Sequence, residues 1–131
     1  MDTGAWYALE AGDDENHEQA VVFRDEVKDG HRGSLTTSDY VLDETVTLLR
    51  VKKGVAPALG FLDKVLSSKS IHLVWVDPVI FHEGAKLMKE SGTNRWSFTD
   101  CTSFAVMKQL GVKEAFAFDR NFGEAGFNRV P

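Results

Sequence analysis

The chain has 131 residues, of which 43% are hydrophobic and 27% charged. That length fits one domain able to bury a full core without disulfide or metal staples. Its formal net charge of −5 argues against binding nucleic acid mainly through a broad basic surface. A site where bound cations supply the positive charge stays open. One cysteine, Cys101, excludes an internal disulfide and fits a reducing cytoplasm. No run approaches ~18 consecutive apolar residues, so no membrane-spanning helix is expected. No basic-then-apolar leader is visible at the N-terminus, and no repeat, low-complexity tract or internal linker divides residues 1–131.

In chain order, Gly12-Asp13-Asp14-Glu15-Asn16 reads as a turn opening a helix whose apolar positions are Val21, Val22 and Val27. Asp29-Gly30-His31-Arg32-Gly33 reads as its stop and a loop. Ser34 to Thr37 is a short strand candidate. Ser38 to Lys53 has helical patterning, with Gly54 where a C-cap glycine is favoured. Pro57 to Leu66 reads as a second helix, with proline suited to its first turn. The β-branched and aromatic run Ile71-His72-Leu73-Val74-Trp75-Val76 predicts a strand. Asp77-Pro78 then opens a helix running to about Ser91 and closed by Gly92. Ser97 to Leu110 predicts a further helix before Gly111, Ala115 to Phe118 a buried strand, and Gly126 to Pro131 a last edge strand. Strands alternating with helices predict an α/β domain with a mainly parallel sheet, whose ligands sit beyond the carboxyl ends of the strands.

Three acids stand where burial is expected. Asp119 directly follows the apolar run Ala115–Phe118, although Asp119-Arg120-Asn121 also fits a turn in which the aspartate binds its own backbone. Glu44 falls on the flank of the face formed by Val41, Leu42, Val46, Leu48, Leu49 and Val51, and is expected to be partly enclosed. Asp43 falls on the opposite, solvated side. The plainer alternative makes Glu44 a surface residue whose stem covers apolar neighbours. Asp100 lies on the apolar side of its helix, four residues before Phe104. Ser97-Phe98-Thr99-Asp100 also fits a capping box, and both roles are compatible. Carboxylates held together resist ionisation unless a cation intervenes, and oxygen-only ligands suit Mg²⁺ or Mn²⁺ rather than zinc.

Other signals carry less. His82-Glu83 begins a zinc-protease motif, but Lys86 stands where its second histidine is required. Asp2-Thr3-Gly4 lacks the second aspartate of a phosphoaspartate phosphatase. Cys101 has no evident base and reads as a buried helix residue. Trp6, Trp75 and Trp96 read as core or interface residues rather than base-stacking platforms.

In order, Asp2-Thr3-Gly4-Ala5-Trp6, Thr37-Ser38-Asp39-Tyr40-Val41-Leu42-Asp43-Glu44, Ser97-Phe98-Thr99-Asp100 and Ala117-Phe118-Asp119-Arg120-Asn121-Phe122 resemble the PIN domain. The closest likeness is to the VapC type of bacterial and archaeal toxin. The resemblance spans nearly the whole chain. It implies a three-layer α/β/α fold with a mainly parallel sheet, and a catalytic, metal-binding quartet of Asp2, Glu44, Asp100 and Asp119. It further implies hydrolysis of RNA with Mg²⁺ or Mn²⁺, homodimers, a VapB-like antitoxin as partner and no role for a membrane. Thr3 and Thr99 would bond to groups of the site.

Two departures stand out. Ala117 occupies a position where the family has a small hydroxyl residue. Only Met1 precedes Asp2, where the family has a strand, so the first strand is expected to be shortened and a natural start upstream of Met1 is expected. Two other functions remain in view: a non-catalytic binding module of the same fold, and a DNA-cleaving nuclease.

Overall fold

The computed structural model describes residues 1–131. In chain order it contains α1 (Thr3–Glu10), α2 (His17–Lys28), β1 (Leu35–Ser38), α3 (Asp39–Lys53), α4 (Val55–Ser67) and β2 (Ile71–Val74). There follow α5 (Pro78–Glu90), α6 (Phe98–Leu110), β3 (Glu114–Phe116), α7 (Asn121–Glu124) and β4 (Asn128–Val130). Local chemistry explains most of the boundaries. Ser38, Asp77 and Ser97 each accept a hydrogen bond from a backbone N–H of the first turn that follows, satisfying donors a helix start leaves free. Gly111 ends α6 in the left-handed conformation (φ 67°), which costs glycine nothing.

The strands form two parallel pairs. β1 pairs with β2 in the register Leu35↔Ile71 to Ser38↔Val74, and β3 with β4 from Glu114↔Asn128 to Phe116↔Val130. The first two residues of the chain bridge them. The Met1 amino group donates to the Thr36 carbonyl at 2.8 Å, and the Asp2 N–H donates to the Phe116 carbonyl at 3.1 Å. The order across the molecule is therefore β2, β1, Met1–Asp2, β3, β4. Met1 and Asp2 stand where a central strand would run. Beside Met1, a cleft of about 440 Å³ opens between the facing edges of β1 and β3, lined by Leu35, Thr36, Val106, Met107, Glu114 and Phe116 among others.

Helices cover both faces, giving the three-layer α/β/α arrangement. On one face, Trp6 of α1, Val41, Leu42 and Leu49 of α3, and Phe61 and Val65 of α4 form a core against Leu35, Ile71 and Leu73. On the other, Phe104 and Met107 of α6 pack with Ala115 and Ala117, while Ile80 of α5 meets Ala105 and Val106.

Several local expectations need correction. Helix α1 was not anticipated, because Thr3–Glu10 offers little apolar periodicity; tertiary burial of Ala5, Trp6 and Ala8 holds it. In α2, Val22 is exposed; Val27 packs against the core as expected, beside the buried Ala20 and Phe23. The β2 strand stops at Val74, leaving Trp75 in solvent at 67% exposure. The short helix α7 has no counterpart among the predicted elements.

Helices α5 and α6 meet at a glycine. A Cβ on Gly84 would lie 2.9 Å from Thr102 Cγ2 and 3.2 Å from the Thr102 Cα and N. Backbone cannot turn aside as a side-chain tip can. Gly84→Ala is expected to destabilise the fold by ~1–3 kcal/mol through overpacking, read as a lower urea midpoint with an unchanged slope.

Candidate functional site

The carboxyl ends of the strands gather three of the four acids. Asp2 follows directly on Met1 at the sheet centre and is 7% exposed. Its Oδ1 caps α1 by accepting the Ala5 N–H at 2.8 Å. Asp100 sits in the first turn of α6. Its Oδ2 accepts from the Ser97 N–H and from the Asn121 side-chain amide, each at 2.9 Å. The capping box therefore forms, and the same carboxyl also faces the end of the β3 segment. Asp119 lies beyond β3, and its Oδ1 accepts the Asn121 backbone N–H at 2.9 Å. The turn reading of Asp119 holds together with its place at the site.

Glu44 stands apart from these three. It is exposed rather than partly enclosed, and its Oε2 accepts from Thr3 Oγ1 at 3.2 Å. The buried stripe of α3 is narrower than the sequence pattern suggests: Val41, Leu42, Thr45 and Leu49 face inward, while Val51 is exposed. Thr45 can occupy the centre of that stripe because its hydroxyl donates to the Val41 carbonyl at 2.7 Å. Asp43 is exposed, as expected. Thr3, the residue next to Asp2, thus holds Glu44 beside the start of α1. The Thr99 carbonyl accepts from the Thr102 hydroxyl at 3.0 Å.

Electrostatics reports the convergence. Burial, above all, pushes the Asp2 carboxyl up to about 7. The Ala5 N–H pulls it down, the Asp119 charge raises it, the Met1 amino group lowers it, and the Asp100 charge raises it again. Asp119 is also raised, first by partial loss of solvent around its carboxyl and then by the Asp100 charge, against the pull of Asn121 and Arg129. Burial lowers the Met1 amino group to about 6. The Cys101 thiol is pushed up by burial and by the Asp100 charge, which disfavours the thiolate a nucleophile would need.

None of the four acids makes an ion pair with Lys or Arg. On each, one oxygen is taken by a neighbouring N–H or O–H and the other accepts no protein hydrogen bond. Four free carboxylate oxygens suit a hard divalent cation. No three acidic, histidine or cysteine side chains lie close enough to enclose an ion by themselves. Mg²⁺ needs no such cage, since it keeps several waters and is held through one or two carboxylates. On donor chemistry the residues fit the cation. Asn121, which reaches two of the acids, was not singled out from the sequence; its place in an Asp-x-Asn turn was the only signal.

The sign of the Asp2 shift sets a pH dependence. Between about 4 and 7 the folded chain holds a proton on Asp2 that the unfolded chain has lost, so stability falls as pH rises through this window. The Met1 amino group acts oppositely between about 6 and 8, where the unfolded chain holds the extra proton. In chelator, Asp2→Asn is expected to raise the melting temperature at pH 7.5 and to flatten the decline between pH 4 and 7. An unchanged profile would show that the buried carboxyl carries no such penalty.

Comparison with known proteins gives the family. The model of the PIN domain family matches residues 1–128. The chain is 32% identical over 130 residues to the "23S rRNA-specific endonuclease VapC20" of Mycobacterium tuberculosis, covering 99% of this chain and 95% of that one. It is 28% identical over 123 residues to a "VapC ribonuclease" of Archaeoglobus fulgidus, covering 93% of this chain and 77% of the relative. Among solved structures, that of Mycobacterium tuberculosis VapC20, titled a "Sarcin-Ricin loop cleaving toxin", superimposes with a TM-score of 0.87 at 31% identity, over 96% of this chain and 93% of the other. The sheet, the acids at its carboxyl end and these matches together make the chain a member of the PIN-domain family, of the VapC toxin type.

Proposed function

We propose that the protein is an endoribonuclease that hydrolyses RNA phosphodiester bonds with Mg²⁺ or Mn²⁺, as the toxin of a toxin–antitoxin pair. The observation that carries the reading is the position of Asp2, Asp100 and Asp119 beyond the strand ends, near enough to oppose one another's charge and with no Lys or Arg ion pair on any of them. When bound there, a divalent cation would activate water and offset charge on the leaving oxygen. Asp2 Oδ2 and Asp100 Oδ1 are the oxygens offered to it. Asp119 Oδ2 and Glu44 Oε1 would hold the cation directly or through water, or orient the nucleophile. Displacement in line leaves a 5′-phosphate and a 3′-hydroxyl. The names of the relatives motivate a structured RNA as substrate. With a net charge of −5, affinity for that RNA rests on bound cations more than on basic side chains.

The partners in this reading are a second copy of the chain and a VapB-like antitoxin. Phe81 and Met88, seven residues apart on α5 and 41% and 44% exposed, give apolar surface to such contacts. The chain has no helix long and apolar enough to cross a membrane, and we assign its action to the cytoplasm.

Purified protein is expected to cut structured RNA in Mn²⁺ and to stop when chelator is added. Asp100→Asn should slow cutting by more than about a hundredfold, beyond the ~10–100-fold typical of losing a group that only supports a ligand, while retaining its circular dichroism and melting transition. Full activity in that variant would refute the assignment. The lack of a closed three-sided cage favours a second reading, a non-catalytic module of the same fold. That reading predicts no cutting by the unsubstituted protein at any Mn²⁺ concentration. A parallel single-stranded DNA substrate separates ribonuclease from deoxyribonuclease.

A further inference from the structure

Asn121 is half-buried at the start of α7 and holds two of the acids at once. Its side-chain amide donates to Asp100 Oδ2 and its backbone N–H donates to Asp119 Oδ1, both at 2.9 Å. The Ser97 N–H also donates to Asp100 Oδ2 at 2.9 Å. Two donors thus converge on one oxygen of Asp100 and none on the other, which holds the carboxyl and leaves Oδ1 without a protein donor.

The support behind Asn121 is stiff. The next residue, Phe122, is buried, with its ring 5.1 Å from that of Phe104 on α6 in an edge-to-face contact. This sets the spacing between α7 and the helix that carries Asp100. Arg129 Nη1 donates to the Phe118 and Asp119 carbonyls at 3.0 and 3.1 Å, which pins the backbone just before Asn121. The amide also suits the place chemically. It is neutral, so it adds no charge to a site already rich in carboxylates, and its N–H donors leave the free oxygens to a cation.

We infer that Asn121 is a positioning residue that sets the cation-ready orientation of Asp100 relative to Asp119. The inference rests on the proposed metal site and names a residue outside its acidic quartet. An orienting bond of this kind typically contributes ~10–100-fold to metal affinity, and melting in chelator reads its contribution to folding apart from the metal. The two effects are therefore separable.

The test titrates the full chain with Mn²⁺ alone, reading the free ion by electron paramagnetic resonance, and measures melting in chelator. Asn121→Ala retains the backbone N–H to Asp119 and removes only the bond to Asp100. It is expected to weaken Mn²⁺ binding by ~10–100-fold with a small shift in melting temperature. Asn121→Gln, which keeps the amide, is expected to recover part of the affinity. It also serves as the reporting variant should the alanine form not fold, with binding weaker than the unsubstituted chain. Mn²⁺ binding unchanged in Asn121→Ala overturns the inference and leaves the metal site standing. So does a loss of affinity seen only together with a large loss of melting temperature, with none restored by glutamine. Absence of Mn²⁺ binding by the unsubstituted chain instead overturns the metal site itself, and this inference with it.

Discussion

The two hydrogen bonds made by Met1 and Asp2 hold the architecture together. One reaches the Thr36 carbonyl and the other the Phe116 carbonyl, so residues at the very start of the sequence join two separate parallel strand pairs. A parallel sheet depends on both faces being covered and on its backbone groups being paired across its width. Here Met1 and Asp2 supply links between the two pairs, with apolar contacts around Met1. Met1 packs against two of the core clusters, one built around α3 and α4 and the other around Phe23 and Phe116.

The same placement buries the first of the acids. The residue that links the strand pairs is followed immediately by the first turn of α1, so its side chain is driven to the carboxyl end of the sheet and loses solvent there. The Asp2 carboxyl is stabilised by one N–H donor from Ala5 and opposed by Asp119 and Asp100. Burial without an ionic partner is costly for a carboxylate. The fold tolerates the cost at this one position, where the strand ends, two helix starts and a short turn all meet. Carboxyls whose burial and shared charge oppose ionisation are what make this end of the sheet the candidate site.

Likeness to VapC proteins and the geometry inform different points. The likeness covers the chain from Met1 almost to its end and fixes the family. It does not say how each carboxyl is held. That comes from hydrogen bonds among Ser97, Asp100, Asp119 and Asn121, and from the Thr3 hydroxyl on Glu44. Glu44 is held by the Thr3 hydroxyl and not by enclosure in α3, and like Asp119 it is exposed.

The linear order of residues settled the elements whose signals are local. Helix starts at Ser38, Asp77 and Ser97, the glycines that close α3 and α6, and the β-branched core of β2 all depend on chemistry within one turn of the chain. The acids Asp2, Glu44, Asp100 and Asp119 could likewise be picked out by position against apolar neighbours and by likeness to a family. What tertiary structure alone decided lies between distant segments. Helix α1 exists because Ala5, Trp6 and Ala8 find a core, and Glu44 is exposed because Thr45 takes the buried stripe with a hydroxyl bond no periodicity reveals. Asn121 matters because Phe122 packs on α6 and brings its amide to a carboxyl 21 residues away in sequence. Local backbone preferences are written into neighbouring residues, whereas the distance between two charges depends on how whole layers pack.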